Sequence, residues 1–203
     1  MDILEKYVSS EITVKNSRFL GELFPCDSQS DARNLVKKQK IKYTDATHVV
    51  HAFVIGHGAE IMGMSDDGEP PGTAGRPVLD VLKGKHCTNL VLTVTRWFGG
   101  ILLGTGGLVK AYGDCAKAVF EAAAAESAIS AYVEKRRFSF SAGYSEYQTL
   151  KHILSRFMLY DFEEQFGTDV TVSASVAADE FPLLESRIKD ASNGTVCMTA
   201  RYV

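Results

Sequence analysis

The sequence predicts an α+β chain in two domains, and three observations carry that prediction. The last third alternates strand and helix patterns in the order βαββαβ. The first two thirds place glycine-rich loops at 65–76 and 96–107, around a short helix and a long apolar strand. Near residue 130 the run AAAAESA loses amphipathic character, which sets domains of 1–130 and 131–203.

Bulk properties narrow the class. The 203 residues are 45% hydrophobic and 23% charged, enough to bury a core without disulfides. A net charge of −3 and a pI near 6.0 exclude a broadly basic nucleic-acid coat but leave room for a local basic patch. The opening MDILEKYVSS carries Asp2, Glu5 and Lys6 and lacks an apolar run, so it is not read as a signal peptide. No stretch approaches the roughly 18–20 apolar residues of a membrane span. The expected compartment is the cytoplasm. Cys26, Cys87, Cys115 and Cys197 form no CxxC pair, so they read as reduced thiols rather than disulfides or zinc ligands.

Taken in order, residues 11–16 and 18–24 alternate as paired strands that turn at Asn16–Ser17. Asp27 or Ser28 caps a helix through about Gln39, with Ala32, Leu35 and Val36 inward. On that helix Arg33, Lys37 and Lys40 form one basic stripe, read as a solvated face ahead of a polyanion contact. Residues 47–55 form a buried strand, and 60–64 return beside it. Pro77 suits the first turn of a helix that buries Val78, Val81 and Leu82 and ends near Gly84. Residues 89–97 form the most hydrophobic strand. A helix from about Gly107 to Ala125 carries Leu108, Tyr112, Cys115 and Val119 on one face.

The second domain follows the same logic. Phe138, Phe140 and Ala142 alternate with serines, and a helix with Tyr147, Leu150, Leu154 and Phe157 follows. Strands at 159–166 and 170–176 flank the Gly167–Thr168 turn. Asp179 caps a helix carrying Phe181, Leu184 and Ile188. After Asn193–Gly194, a strand alternates Val196, Met198, Ala200 and Tyr202. This is a ferredoxin-like order with helices on one sheet face. The other face carries Ser139, Ser141, Thr171, Ser173, Ser175, Thr199 and Arg201. Those positions offer no aromatic for base stacking.

The chemistry-bearing residues cluster in the two loops. Asp66, Asp67 and Glu69 could hold a divalent cation through oxygens, or could serve the positive end of the helix that starts near Gly75; the second reading is favoured. FGGILLGTGGLVK, with Gly99, Gly100, Gly104, Gly106 and Gly107, could aim backbone N–H groups at an anion or could pack backbone on backbone. It is neither a Walker A loop nor a dinucleotide fingerprint. His48 and His51 sit on opposite strand faces, which argues against a shared metal set, and no catalytic triad stands out.

ATH at 46–48, SDDGEPPGTAGRP at 65–77 and VTRWFGGILLGTGGLVKAYG at 94–113 resemble the YigZ/IMPACT family over about residues 15–125. The tail resembles the second domain of its bacterial two-domain members. Trp97 stands where the family usually has Tyr, and Pro71 where it often has Ser. The resemblance implies an IMPACT N-terminal-type first domain. That domain would be S5 domain 2-like, like domain IV of elongation factor G, with a ferredoxin-like domain after it. It links eukaryotic relatives to translational control through a kinase-regulatory partner, proposes RNA or ribosome binding for bacterial ones, and brings no catalytic residues; no cofactor or metal is expected.

The expectation is therefore a translation-associated binding protein. Its candidate nucleic-acid or anion site comprises His48, Asp66, Asp67, Gly68, Glu69, Gly72, Thr73, Gly75, Arg76, Arg96, Trp97, Gly99, Gly100, Gly104, Gly106, Gly107 and Lys110. Arg76, Arg96 and Lys110 would contact phosphates and Trp97 would stack on a base or sit in the core. Two rivals stand beside it: an enzyme or binder acting on a phosphorylated small molecule or nucleotide, and a regulator of a protein partner.

Overall fold

The computed structural model describes residues 1–202, with side chains as far as residue 200. The chain divides into two compact units, Met1–Tyr132 and Val133–Val203.

The first unit runs β1 (Asp2–Leu4), β2 (Val8–Val14), β3 (Ser17–Pro25), α1 (Gln29–Lys42), β4 (His48–Ile55) and β5 (Ile61–Ser65). It continues through α2 (Gly75–Gly84), β6 (Cys87–Thr88), β7 (Leu90–Trp97), α3 (Gly104–Ala125) and β8 (Ile129–Ala131). Five strands make an antiparallel sheet in the order β2-β3-β7-β4-β5. The β2–β3 turn falls at Lys15 and Asn16, both with positive φ, one residue earlier than expected. That pair of left-handed residues matches the right-handed strand twist in a two-residue hairpin.

Alternation splits the sheet into two faces. Phe19, Leu23, Val50, Ala52, Leu92 and Val94 face α2 and α3, which supply Val78, Leu82, Leu108, Tyr112, Cys115 and Val119. Phe53, Ile55 and Val91 face α1 through Ala32 and Val36. Burial pushes the Cys115 thiol up to about 12, so it packs as an inert apolar group. Cys26, Cys87 and Cys115 are buried and Cys197 is exposed, all as free thiols.

Two helix ends of the first unit differ from expectation. The Ser28 hydroxyl accepts from the Asp31 amide and starts α1 as foreseen, but the helix runs on to Lys42 because its last turn is held by a buried carboxylate. Helix α3 starts three residues early, so Gly104, Gly106 and Gly107 lie inside its first turn rather than in a loop. Strands β1, β6 and β8 form a second small sheet that the sequence does not announce. Two or three residues are too few to show a period.

In the second unit, β9 (Lys135–Ala142), α4 (Tyr144–Leu154), β10 (Leu159–Phe166), β11 (Val170–Ala177), α5 (Phe181–Ala191) and β12 (Thr199–Tyr202) follow the expected βαββαβ order. The sheet order is β10-β11-β9-β12, antiparallel throughout. Phe138, Phe140, Val172 and Val176 meet Tyr147, Leu150, Phe181 and Leu184 in one core. The reverse face is hydroxyl-rich, with Ser141 and Thr171 hydrogen-bonded at 2.9 Å. Tyr160 stands opposite Ser175 and so joins that face, with the Lys135 ammonium 4.0 Å from its ring centroid. Asp179 does not cap α5; Glu180 holds that position without a side-chain bond, and the following Pro182 removes one amide that a cap would satisfy. Strand β12 begins at Thr199, so Val196 precedes it. The Arg201 and Tyr202 side chains lie outside the described residues. Among the described residues no helix is long and apolar enough to cross a membrane.

Glu22 explains the polar half of the α1 interface. It is fully buried, and its oxygens accept from Tyr7 Oη, Gln39 Nε2, Lys42 Nζ and Tyr43 Oη at 2.9–3.1 Å. A carboxylate this enclosed persists only with its lone pairs taken up. Glu22→Ala leaves four donors without their acceptor and is expected to lower stability by about 2–4 kcal/mol, read as an earlier urea midpoint.

Candidate functional site

The two glycine-rich segments meet at the end of the β4–β7 pair. His48 and Arg96 are direct partners across that ladder, on the face covered by α2 and α3. The loop after β5 crosses above them and lowers Glu69 between them. Glu69 Oε1 accepts from Arg96 Nη1 at 2.6 Å and from Tyr112 Oη at 2.8 Å. Arg96 Nη2 reaches Ser17 Oγ at 3.4 Å. Arg96 is 5% exposed and Glu69 7%, so this is a buried ion pair. Burial, with Glu69 beside it, pushes the Tyr112 hydroxyl pKa up and keeps it a donor.

Glu69 Oε2 is differently placed. Its neighbour is His48 Nε2, at 3.9 Å. The other ring nitrogen, Nδ1, lies 2.7 Å from the Asp67 carbonyl oxygen. A carbonyl only accepts, so Nδ1 carries a proton, and in the neutral ring the lone pair falls on Nε2.

The neighbouring carboxylates shape the loop. Asp66 Oδ1 accepts from the Ala74 and Gly75 amides at 3.1 and 2.8 Å, and Oδ2 from Gly72 at 2.9 Å. Asp66 thus caps α2 from eight residues upstream, where Ala74 has no side-chain acceptor to offer. Asp67 Oδ2 accepts from the Val49 amide at 2.7 Å, and Oδ1 pairs with Lys40 of α1. Thr73 closes the loop by donating to the Pro70 carbonyl at 2.7 Å. Gly68 adopts φ +86°, and a Cβ there would stand 3.4 Å from His48 Nδ1. Gly99 has no room for a Cβ, which would fall 2.1 Å from the Asn16 backbone.

A cleft of about 470 Å³ opens over this arrangement. His48, Glu69 and Arg96 form its polar floor, with Thr47 and Gly68 beside them. Pro70, Phe98, Leu102, Leu103 and Leu108 make its walls, and Gly104 and Thr105 bring the start of α3 to its edge. That helix start has no side-chain cap. At the rim Phe98 is 46% exposed and Leu102 82%. Apolar walls around a few convergent polar groups describe a ligand pocket.

Of the expected residues, His48, Gly68, Glu69, Arg96 and Gly104 come together in the cleft. Asp66, Asp67, Gly72, Thr73, Gly75 and Gly99 build its frame. Gly100 sits in the turn between β7 and α3, with Gly106 and Gly107 in the first turn of α3. Arg76 and Lys110 lie on helix surfaces, paired with Asp80 and Asp114. Trp97 belongs to the opposite sheet face. Its Nε1 donates to Asp45 at 2.9 Å and the Arg18 guanidinium lies 3.8 Å from its ring centroid. Phe98, Leu102 and Leu103 are missing from the expected set, because nothing in an apolar type beside glycines marks a cleft wall. The sequence also places Tyr112 on an apolar helix face, with no sign of its partner.

Residues 15–120 match the family model of the Impact N-terminal domain. The chain is 31% identical over 186 residues to an IMPACT family member of Haemophilus influenzae, covering 91% of this chain and 88% of that one. It is 45% identical over 103 residues to the IMPACT family member YvyE of Bacillus subtilis, a match spanning 51% of this chain and about half, 48%, of that relative's length. A solved crystal structure of a hypothetical protein aligns over 98% of this chain and 96% of its own, with a TM-score of 0.68 and 28% identity.

Two outcomes follow from this geometry. Arg96→Ala strands a buried carboxylate and is expected to cost about 3–5 kcal/mol of stability in chemical denaturation. Partial burial raises the Asp66 carboxyl, but the Gly72, Gly75 and Ala74 amides outweigh it and hold its pKa below the ordinary value. A depressed pKa stabilises the fold above the ordinary carboxylate range, and that contribution is lost as pH falls through the folded value. Asp66→Asn is expected to lower stability near neutral pH by about 1 kcal/mol. Its denaturation midpoint is also expected to fall less steeply than the parent's below about pH 4.

Proposed function

This chain belongs to the IMPACT family, and from that premise we propose that it is a translation-associated binding protein whose first unit engages RNA or the ribosome through the cleft. The observation that carries the reading is the cleft itself, a concave site with apolar walls, a buried polar floor and an uncapped helix start at its edge. Single-stranded RNA is recognised by this combination, with bases splayed onto apolar or aromatic surfaces and their edges read by polar groups. Phe98 at the rim, rather than Trp97, is the stacking surface. Arg96 acts through Glu69 rather than on phosphate, so Arg76 and Lys110 carry the phosphate contacts.

On the same reading the first unit is S5 domain 2-like, similar to domain IV of elongation factor G. The strand order of the second supports a ferredoxin-like assignment. The compartment is the cytoplasm. The rival Mg-nucleotide enzyme draws little from the DDGE carboxylates. Both Asp66 oxygens accept backbone amides, Asp67 is divided between Val49 and Lys40, and Glu69 Oε1 serves Arg96 and Tyr112.

The test is fluorescence-anisotropy titration of single-stranded and structured RNA at two salt concentrations. Saturable binding that weakens with salt is expected, with Phe98→Ala weakening it about tenfold through lost stacking. Replacing Arg76 or Lys110 by Ala should flatten the salt dependence by no more than about one unit of slope each. Absence of binding at low salt overturns the reading.

A further inference from the structure

We propose that the cleft is selective for guanine. The inference rests on the reading that a nucleobase enters it. It starts from the two acceptor atoms on the floor that have capacity to spare; Arg96 Nε is also without a partner among the described residues, but it is a donor and is buried. Glu69 is more than nine-tenths buried, with Oε1 engaged by Arg96 and Tyr112. Its Oε2 accepts no hydrogen bond from any described residue. His48 Nε2 stands 3.9 Å away, beyond hydrogen-bonding distance. Because Nδ1–H is committed to the Asp67 carbonyl, Nε2 of the neutral ring is an acceptor too.

Two acceptors side by side, with no donor between them, call for a ligand that presents two neighbouring donors. Among the Watson–Crick edges, guanine alone does so, through N1–H and the N2 amino group. Adenine and cytosine each set one amino donor beside a ring acceptor, and uracil flanks its single N–H with two carbonyls. Those three would leave one floor atom facing an acceptor, with a buried group unpaired.

The remaining features discriminate against other donor-rich ligands. Arg96 already neutralises Glu69, so the floor has no surplus charge to recruit a guanidinium or an ammonium. The uncapped start of α3 at the cleft edge favours an anion over a cation, which suits the phosphate of a nucleotide. Phe98, Leu102 and Pro70 offer apolar surface to a flat ring, and about 470 Å³ is within the usual size of a small-ligand pocket.

The experiment compares a short oligouridine with the same strand carrying one central guanosine, by anisotropy, and competes each with free 5′-GMP, 5′-IMP and 5′-AMP. The guanosine is expected to raise affinity about tenfold or more. GMP should compete, IMP about tenfold more weakly for want of the amino group, and AMP not at all. In His48→Ala, shown folded by its melting curve, the two strands should bind alike. If that variant does not fold, the GMP–IMP–AMP ranking on the parent protein still decides. Equal binding of both strands by the parent protein overturns guanine selectivity and leaves the RNA reading in place. GMP binding without binding of either strand overturns the RNA reading and leaves the selectivity standing. Binding of neither strand and none of the nucleotides overturns both.

Discussion

The ion pair between Glu69 and Arg96 is the constraint around which the first unit is arranged. Removing two opposite charges from water is costly, and a close contact between them with further hydrogen bonds offsets that cost. Here Tyr112 of α3 shares the carboxylate oxygen with Arg96 of β7, and the same guanidinium extends to Ser17 at the start of β3. One loop, one helix and two strands are therefore fixed to a single buried point. The rest of the loop obeys that fixture. Asp67 ties it to β4 and α1, Asp66 ties it to α2, and Gly68 lets the backbone pass against the His48 ring.

This explains what was legible in the sequence and what was not. The second unit is built from local alternation, so Phe138–Ala142 and Val170–Val176 declare their strands and their inward faces. By type Asp179 is the better cap for α5, but the path of the chain puts Glu180 at that position, where its side chain makes no capping bond. In the first unit the motifs point to the two loops that meet at the cleft, but by type alone Arg96 reads as a phosphate ligand, whereas its guanidinium pairs with Glu69. Its partner lies 27 residues away, brought there by the β4–β7 register and the loop above it. Trp97, one step along the same strand, necessarily points to the other face. Strands β1 and β6 are too short for any periodic signal.

The two faces of the five-stranded sheet are held by different physics. On the α2–α3 side, packing is apolar until it reaches the Glu69 site. On the α1 side, apolar contact through Ala32 and Val36 gives way to the polar cluster around Glu22. Next to Glu22 in the ladder stand Thr93 and then His51, whose Thr93 Oγ1 and His51 Nδ1 are buried without a hydrogen-bond partner. Burial, with Lys40 nearby, holds the His51 imidazole below its ordinary pKa, in keeping with a neutral ring. Asp67 spans the two sides, since it reaches Lys40 on α1 while its carbonyl orients His48 at the cleft.

The small sheet of β1, β6 and β8 has a different consequence. Asp2 stands directly opposite Ala131 across the β1–β8 pair, so the first unit is entered and left at neighbouring points of its surface. A unit built this way behaves as a cassette. It can be set into a host loop or joined to another companion without straining either junction.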